Sequence, residues 1–302
     1  MAAVVRLDAE LVRRGLARSR QRAADLIAAG RVEVAGAVAS KPAQPIAPDT
    51  PVSVRGDDRT EYVSRAAHKL VGALDAVDAL EPGTLTVAGA RCLDAGASTG
   101  GFTQVLLERG AASVVAVDVG HGQMAELIAS DQRVTPLEGV NVRGLTTVET
   151  GGPVDLVVAD LSFISLTVAL PALLGVVASD GDLLLMVKPQ FEVGRERLGS
   201  SGVVSSPELR EDAVLQVARA AGSLGAVVRA VLPSPLPGPS GNHEYFLWLC
   251  PGTPTGSAGS LGPGAASENR TDLVGAVRAA VRADRPTLAV PGAPADPSGE
   301  ET

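Results

Sequence analysis

Four ionisable residues lie next to apolar runs in a way that would bring them together in a folded chain. Asp160 and Lys188 each follow directly on a run of apolar residues, and Glu244 directly precedes one. Lys69 lies in a segment whose apolar spacing predicts a helix over residues 64–79. Ligands of open parallel sheets bind beyond the carboxyl ends of the strands. We therefore expect two amines and two carboxylates in one cleft, where they can orient a hydroxyl group and move its proton.

The use of lysine supports this expectation. Of the 26 basic residues, only Lys41, Lys69 and Lys188 are lysines. An ammonium group can change its protonation state when it is buried, whereas a guanidinium cannot. Two of the three lysines thus belong to the predicted cleft, and ordinary surface charge is the alternative explanation for each of them.

The glycine-rich segment Asp94-Ala95-Gly96-Ala97-Ser98-Thr99-Gly100-Gly101-Phe102 leads from a predicted strand into a predicted helix. Glycines there allow a close approach of the backbone to a ligand, and the first amides of the helix are free donors. The spacing differs from the G-x-G-x-x-G fingerprint of dinucleotide-binding proteins, which disfavours a nicotinamide enzyme. Asp118 ends the next apolar strand, where its carboxylate can accept hydrogen bonds from both hydroxyls of a ribose. Asp94 suits a cationic sulfonium better than a pyrophosphate, so the segment predicts a site for S-adenosylmethionine.

The expected cofactor-binding residues surround this segment and the strand ends beside it. They are Asp94, Gly96, Ser98, Thr99, Gly100, Gly101, Phe102, Asp118, Asn141 and Asp160. The four phenylalanines at positions 102, 163, 191 and 246 lie beside the same motifs, where they either wall the cleft or pack under the sheet.

The same segment also fits the G-x-S-x-G nucleophile elbow of α/β-hydrolases, with Ser98, Asp160 and His243 in the chain order of a triad. Such an elbow normally follows several strands, whereas this one ends the first strand of its domain. No oxyanion-loop motif precedes it. The hydrolase is therefore a remote alternative.

The elements that must position these residues alternate between strands and helices. Strands are expected near residues 91–95, 113–118, 134–138, 154–160, 182–188, 226–232 and 244–250, with helices over 101–109, 121–129 and 207–223. This alternation predicts an α/β domain over residues 64–250, built on a mostly parallel seven-stranded sheet. The last two strands have no helix between them, so they predict an antiparallel hairpin at the edge of the sheet.

The segment 1–56 has a different character and predicts a small α+β domain. Two short amphipathic helices precede a hairpin that turns at Ala35-Gly36. The segment carries nine basic and five acidic residues, although the whole chain has a net charge of −8. A local basic face of this kind favours RNA binding. The candidate RNA-binding residues are Arg6, Arg13, Arg14, Arg18, Arg20, Arg22, Arg31 and Lys41; a solvated helix face is the alternative.

The remaining segments and residue types point to simpler roles. Residues 57–63 form an interdomain linker, and residues 251–302 are expected to be mostly disordered apart from a short helix at 271–283. Cys92 and Cys250 lie in apolar strands, which predicts free thiols and no metal site. The sequence contains neither a membrane-spanning run nor a signal peptide, so a cytoplasmic protein is expected.

Taken together, these motifs resemble the TlyA family, whose catalytic domain is similar to the FtsJ type and whose first domain is of a kind found in a small-subunit ribosomal protein. The resemblance covers about residues 6–250 and adds Ser64–Leu70, Asp160–Leu166, Val187–Glu192 and Gly241–Phe246 to the glycine-rich segment. It implies a class I Rossmann-like methyltransferase fold and a catalytic tetrad of Lys69, Asp160, Lys188 and Glu244. It also implies methyl transfer from S-adenosylmethionine to the ribose 2′-hydroxyl of cytidine in small- and large-subunit ribosomal RNA. The linker departs from the family, because Tyr62 lies where the compared members carry tryptophan.

In such a reaction the methyl group is already electrophilic, so the enzyme must mainly aim the hydroxyl. Lys188 would accept or steer the hydroxyl proton, while Asp160 and Glu244 would orient the two lysines. Two rival classes remain. One is the pore-forming hemolysin for which the family was first named, although no spanning segment supports it; the other is a non-catalytic RNA-binding protein. The sequence leaves the oligomeric state open.

Overall fold

The computed structural model describes residues 5–14, 16–17, 20–28, 30–48, 50–54, 62–198, 202–252, 272–283 and 287–288. Of these, Arg22, Arg195 and Leu288 are described by their backbone alone. The chain divides into two compact units, Met1–Glu61 and Tyr62–Thr302. The last two residues of the predicted first domain (55–56), most of the predicted linker (57–61) and most of the predicted tail (253–271, 284–286 and 289–302) lie outside the described residues.

The first unit contains two helices and short strands. Its elements are β1 (Val5–Arg6), α1 (Leu7–Arg13), α2 (Arg20–Ala28), β2 (Val32–Val34), β3 (Ala37–Val38), β4 (Pro45–Ile46) and β5 (Val52–Val54). The predicted hairpin is β2–β3, and its turn places Ala35 and Gly36 at φ angles of 51° and 82°. Apolar residues of both helices, such as Leu7, Leu11 and Ile27, form a small buried core.

The second unit alternates helices and strands. Its elements are α3 (Ala67–Leu80), β6 (Arg91–Ala95), α4 (Gly101–Glu108), β7 (Ser113–Asp118), α5 (Glu126–Ala129), β8 (Val134–Glu138), β9 (Val154–Ala159), α6 (Leu166–Val176), β10 (Val177–Val187), α7 (Pro189–Glu192), α8 (Pro207–Ser223), β11 (Ala226–Pro233), β12 (Tyr245–Pro251), α9 (Leu273–Arg282) and β13 (Thr287–Leu288).

These strands form one sheet in the order β13-β11-β12-β10-β9-β6-β7-β8. The five strands β6 to β10 pair in parallel, and β12 runs antiparallel to both of its neighbours, β10 and β11. The expected α/β fold with a mostly parallel seven-stranded sheet is therefore confirmed. In the hairpin β11–β12, the second strand, β12, lies between β10 and β11. The two-residue strand β13 pairs with the outer strand β11.

Some boundaries differ from the prediction for physical reasons. The helix expected over 121–129 is reduced to α5, because Gly122 has a φ of +63° and the chain before it turns back on Asp118. β10 begins at Val177, five residues early, and reaches its regular pairing with β9 after an irregularity between Val177 and Asp182. The helix α9 (Leu273–Arg282) lies within the predicted range 271–283.

The two faces of the sheet are covered by different helices. Residues of α6, α8 and α9 pack on one face, whereas α3 and α4 pack on the other. Side chains of β12 alternate between these layers: Leu247 and Leu249 belong to the first, and Phe246 and Trp248 belong to the second. Packing on both faces fixes the strand ends that carry the predicted site.

Three further features concern the part of the chain that the structure describes. No helix within it is long and apolar enough to cross a membrane. No group of three or more His, Cys, Asp or Glu side chains within it has the geometry of a metal site. Cys92 and Cys250 are both free thiols.

Candidate active site

The four predicted catalytic residues form two ion pairs. Lys69, from α3, places its Nζ atom 2.5 Å from Oε2 of Glu244, which directly precedes β12. Both side chains are buried, with 5% and 1% of their surface exposed. Lys188, at the end of β10, places its Nζ atom 2.6 Å from Oδ1 of Asp160 at the end of β9. The second pair is slightly more exposed, at 9% and 15%.

Lys188 has a second polar partner. Its Nζ donates a hydrogen bond of 2.9 Å to Oγ of Ser162, an exposed residue two positions after Asp160. The spacing of Ser162 in the sequence predicts no role for it, because nothing there indicates that a lysine from another strand reaches it. Its hydroxyl marks a place where an oxygen atom can contact the Lys188 ammonium.

Two neighbouring cavities meet at Asp160 and Ser162. The smaller has a volume of about 240 Å³ and is lined by Lys69, Asp160, Lys188 and the glycine-rich turn. The larger, of about 680 Å³, is lined by Asp118, Asn141 and apolar residues that include Ile164. Both cavities are lined by Gly96, Ser98, Asp160 and Ser162. Glu244 lines neither cavity and lies behind Lys69.

The glycine-rich turn needs two of its glycines for conformational reasons. Gly96 has a φ of +86°, and a Cβ atom there would lie 2.8 Å from the carbonyl oxygen of Asp160. Gly100 has a φ of +91°, and its Cβ would lie 2.9 Å from Cγ2 of Ile128. Contacts this short do not occur with real Cβ atoms, so both positions require glycine. Gly96 in particular lets β6 and β9 end side by side.

Asp118 is oriented by two backbone amides. Its Oδ2 accepts a hydrogen bond of 2.8 Å from the amide of Ser98, and its Oδ1 accepts one of 2.8 Å from the amide of Gly120. The carboxylate is half-buried and lines the larger cavity. Each of its two oxygens has a further lone pair with which it can accept another hydrogen bond. Asn141 lines the same cavity while its Oδ1 accepts a hydrogen bond from the amide of Arg143.

Two of the predicted cofactor-binding residues, Asp94 and Gly100, do not line either cavity. Asp94 is fully buried under the turn, where its Oδ2 accepts a hydrogen bond of 2.7 Å from Oγ1 of Thr103. Burial raises the pKa of this carboxyl group to about 7. By contrast, Ser98, Thr99, Gly101 and Phe102 line the smaller cavity.

The four phenylalanines divide into two pairs. Phe102 and Phe246 are buried and stack at a centroid distance of 6.3 Å. Phe163 and Phe191 lie 5.4 Å apart, and Phe163 is 92% exposed beside the larger cavity. Phe163 also has a φ of +64°, which is a strained conformation for this side chain. An exposed aromatic ring held in a strained turn at a cavity mouth is typical of a ligand contact.

Glu192 ends the segment Val187–Glu192, and its position in the sequence predicts no role for it. It is buried, its Oε1 accepts a hydrogen bond of 2.8 Å from the amide of Leu166, and its Oε2 accepts one of 2.5 Å from Oγ of Ser165. Burial raises the pKa of its carboxyl group. Glu192 therefore caps α6 and connects the segment after Asp160 to the segment after Lys188.

The hydrolase alternative finds no support in this geometry. Ser98 contacts Asp118 through its backbone amide, and His243 is exposed. Within the described residues, no hydrogen bond joins His243 to Ser98 or to Asp160.

The predicted RNA-binding residues lie in the first unit, where several are paired with buried acids. Arg6 and Arg20 pair with Asp8, and Arg13 and Arg14 pair with Glu10. Arg31 is half-buried and Lys41 is exposed. Arg18 and the side chain of Arg22 lie outside the described residues.

Comparison with known proteins assigns both units. The model of the FtsJ-like methyltransferase family matches residues 62–250, and the model of the S4 domain matches residues 5–52. A protein of Mycobacterium tuberculosis, the 16S/23S rRNA (cytidine-2'-O)-methyltransferase TlyA, is 59% identical over 82% of this chain and 91% of its own length. Hemolysin A of Brachyspira hyodysenteriae is 34% identical over 80% of this chain and 98% of its own length.

A solved structure agrees with these relatives. The structure of a candidate hemolysin from Streptococcus thermophilus superimposes with a TM-score of 0.62 at 34% identity, covering 84% of this chain and 92% of that chain. The resemblance drawn from the sequence motifs is therefore confirmed. The chain belongs to the TlyA family of FtsJ-like methyltransferases.

Proposed function

We propose that this protein transfers a methyl group from S-adenosylmethionine to the ribose 2′-hydroxyl of cytidine in ribosomal RNA of both subunits. The observation that carries the proposal is the pair of lysine–carboxylate contacts, Lys69–Glu244 and Lys188–Asp160, beside two joined cavities. The relative from M. tuberculosis is named for this reaction on 16S and 23S RNA. Ribosomal RNA is a cytoplasmic substrate, and we propose that location for the protein.

The larger cavity fits S-adenosylmethionine by its donor set. Asp118 offers a carboxylate already oriented by two amides, which suits the two hydroxyls of the cofactor ribose. Asn141 offers an amide group, and Val142 and Ile164 offer apolar surface for a base. When bound, the cofactor supplies an electrophilic methyl group, and Gly96 and Ser98 would hold it where the two cavities meet.

The smaller cavity is then the place for the ribose that is methylated. Lys188 lies at its wall with Nζ directed to Oγ of Ser162, and a ribose 2′-hydroxyl can contact the same ammonium. Asp160 holds Lys188, and Glu244 holds Lys69 from behind. The Lys188 ammonium donates a hydrogen bond that orients the hydroxyl oxygen. As the methyl group is transferred, Nζ accepts the hydroxyl proton while it passes one of its own to the Asp160 carboxylate, 2.6 Å away. Orientation of the reacting oxygen is the larger contribution, because positioning alone accounts for much of the rate in such reactions.

Two other features suit an RNA substrate. The exposed ring of Phe163, supported by Phe191, offers a surface on which an unpaired base can stack. The first unit matches an S4 domain and carries exposed arginines, which suit phosphate groups of folded RNA. We therefore propose that the first unit supplies affinity and the second supplies the chemistry.

The test is methyl transfer from tritiated S-adenosylmethionine to isolated ribosomal subunits that lack the modification, followed by mapping of the labelled nucleotide. We expect label on cytidine in the RNA of each subunit. The phosphodiester bond on the 3′ side of each labelled cytidine should resist alkaline cleavage, because a methylated 2′-oxygen cannot attack the neighbouring phosphate. A label on a base, or none at all, would contradict the proposal. A liposome leakage assay separates the pore-forming alternative, for which release of a trapped dye is the required result.

A further inference from the structure

The first unit contains an arrangement of two arginines on one buried carboxylate. Nε and an NH2 nitrogen of Arg6 donate to Oδ1 and Oδ2 of Asp8, at 3.0 and 2.9 Å. An NH2 nitrogen of Arg20 donates to the same Oδ2 at 3.1 Å. The two nitrogens that share Oδ2 are therefore at most 6.0 Å apart, the sum of their distances to it. Two guanidinium groups this close would repel each other without the carboxylate between them.

Asp8 itself is not a surface residue. Its side chain is 7% exposed, and its Oδ1 also accepts a hydrogen bond of 2.8 Å from the amide of Ala9. The guanidinium of Arg6 holds the pKa of this carboxyl group well below its usual range, so it is charged at any physiological pH. The arginine side chains, by contrast, are 52% and 60% exposed. The carboxylate thus holds the pair from below, and the pair faces solvent.

Hydrogen-bonding capacity remains on the exposed side. The contacts with Asp8 use two of the five N–H donors of Arg6 and one of those of Arg20. The remaining donors, and a net charge of one positive unit on the cluster, match a phosphodiester group with its two non-bridging oxygens and one negative charge.

We infer that Asp8 is a positioning residue that holds Arg6 and Arg20 as a pair for one phosphate of the RNA backbone. This inference rests on the proposed binding of RNA by the first unit. Asp8 would therefore strengthen the binding of a polyanion. Its negative charge alone predicts that it weakens such binding.

A second buried acid in the same helix provides a matched control. Glu10 is 1% exposed and pairs with Arg13 and Arg14. Arg14, however, also donates to the carbonyl oxygens of Pro48 and Thr50 and is 20% exposed, so this cluster holds α1 against the neighbouring loop. Asp8→Asn and Glu10→Gln each remove the negative charge that lies between two arginines. Only at Asp8 are both arginine side chains more than half exposed, because at Glu10 Arg13 is 63% exposed but Arg14 only 20%.

The experiment measures the affinity of the full chain for purified ribosomal subunits at several salt concentrations. Asp8→Asn is expected to bind roughly tenfold more weakly, which corresponds to about 1.4 kcal/mol. Its plot of log affinity against log salt should be shallower by about 0.7 to 0.9, the contribution of one phosphate. Glu10→Gln is expected to retain the wild-type affinity and slope. Equal or tighter binding by Asp8→Asn, as its charge change alone predicts, would overturn the inference.

Two further variants separate positioning from simple loss of folding. Asp8→Asn added to a chain already carrying Arg6→Ala and Arg20→Ala should weaken binding no further, whereas a second loss would show that Asp8 acts through the fold. The double variant Arg6→Lys and Arg20→Lys keeps the charge and Asp8 but loses the paired geometry, so it should bind as weakly as Asp8→Asn. Wild-type affinity in that variant would also overturn the inference. Failure of the wild-type protein to bind subunits would instead refute the proposed role of the first unit.

Discussion

The buried pair Lys69–Glu244 provides a quantitative prediction about stability. Glu244→Gln keeps the shape of the side chain but leaves the Lys69 ammonium, which is 5% exposed, without its counter-ion. Removing one partner of a buried ion pair costs about 3–5 kcal/mol, because the remaining charge stays out of water. We expect a loss of this size in the free energy of unfolding of the second unit. Lys69→Met should cost a similar amount, since it leaves the Glu244 carboxylate uncompensated.

The double variant separates the charge from the packing. When Lys69→Met and Glu244→Gln are combined, no isolated charge remains, so the loss should be smaller than the sum of the single losses by about 3 kcal/mol. Urea unfolding followed by the fluorescence of Trp248 measures all three variants. This residue is the single tryptophan, is fully buried and lies on β12, the strand that begins directly after Glu244.

The same variants test whether the pair serves catalysis as well as folding. The double variant should be folded at 25 °C and yet fail to transfer methyl groups, because it lacks the Lys69 ammonium at the wall of the smaller cavity. A loss below about 1 kcal/mol for Glu244→Gln, the size seen for exposed pairs, would refute the description of a buried charge pair. Strictly additive losses would refute the direct contact between the two residues.

Three further predictions concern the cofactor side of the site. Gly96→Ala should abolish activity, because its Cβ would lie 2.8 Å from the carbonyl oxygen of Asp160 at a φ of +86°, and calorimetry with S-adenosylmethionine should show no binding. Asp118→Ala should weaken cofactor binding by roughly tenfold or more in the same assay, since it removes an oriented charged acceptor, and an unaltered dissociation constant would exclude its ribose role. The pKa of Asp94, raised by burial from 3.8 to about 7, means that the folded state binds this proton more tightly than the unfolded state, so its contribution to stability is present below about pH 4 and is lost as the pH rises to about 7. Unfolding curves at several pH values should show this decline in the wild type and not in Asp94→Asn; identical pH profiles would contradict it.

The sequence predicted the strand ends well, because a parallel sheet brings the carboxyl ends of its strands to one edge regardless of their order. Asp160 and Lys188 could therefore be placed together from their positions alone. The choice of partners could not be predicted, since it depends on which strands become neighbours. β12 inserts beside β10, and this insertion brings Glu244 to Lys69 and leaves Lys188 for Asp160.

Other features depended on tertiary contacts that leave no local signal. Glu192 follows Lys188 in a recognisable motif, yet its role as a cap of α6 depends on a helix that begins 26 residues earlier. Asp94 belongs to the glycine-rich turn but points beneath it, because Thr103 of the following helix takes its carboxylate. In the first unit, charge counting predicted a basic face but did not predict that Asp8 holds two of the arginines.

The central claim is that Lys188 acts on the substrate hydroxyl and not on the cofactor. Its most direct test is single-turnover methyl transfer to ribosomal subunits by Lys188→Ala, with the dissociation constant for S-adenosylmethionine measured on the same preparation. We expect a cofactor affinity near the wild-type value and no detectable methyl transfer. Transfer at the wild-type rate would contradict it.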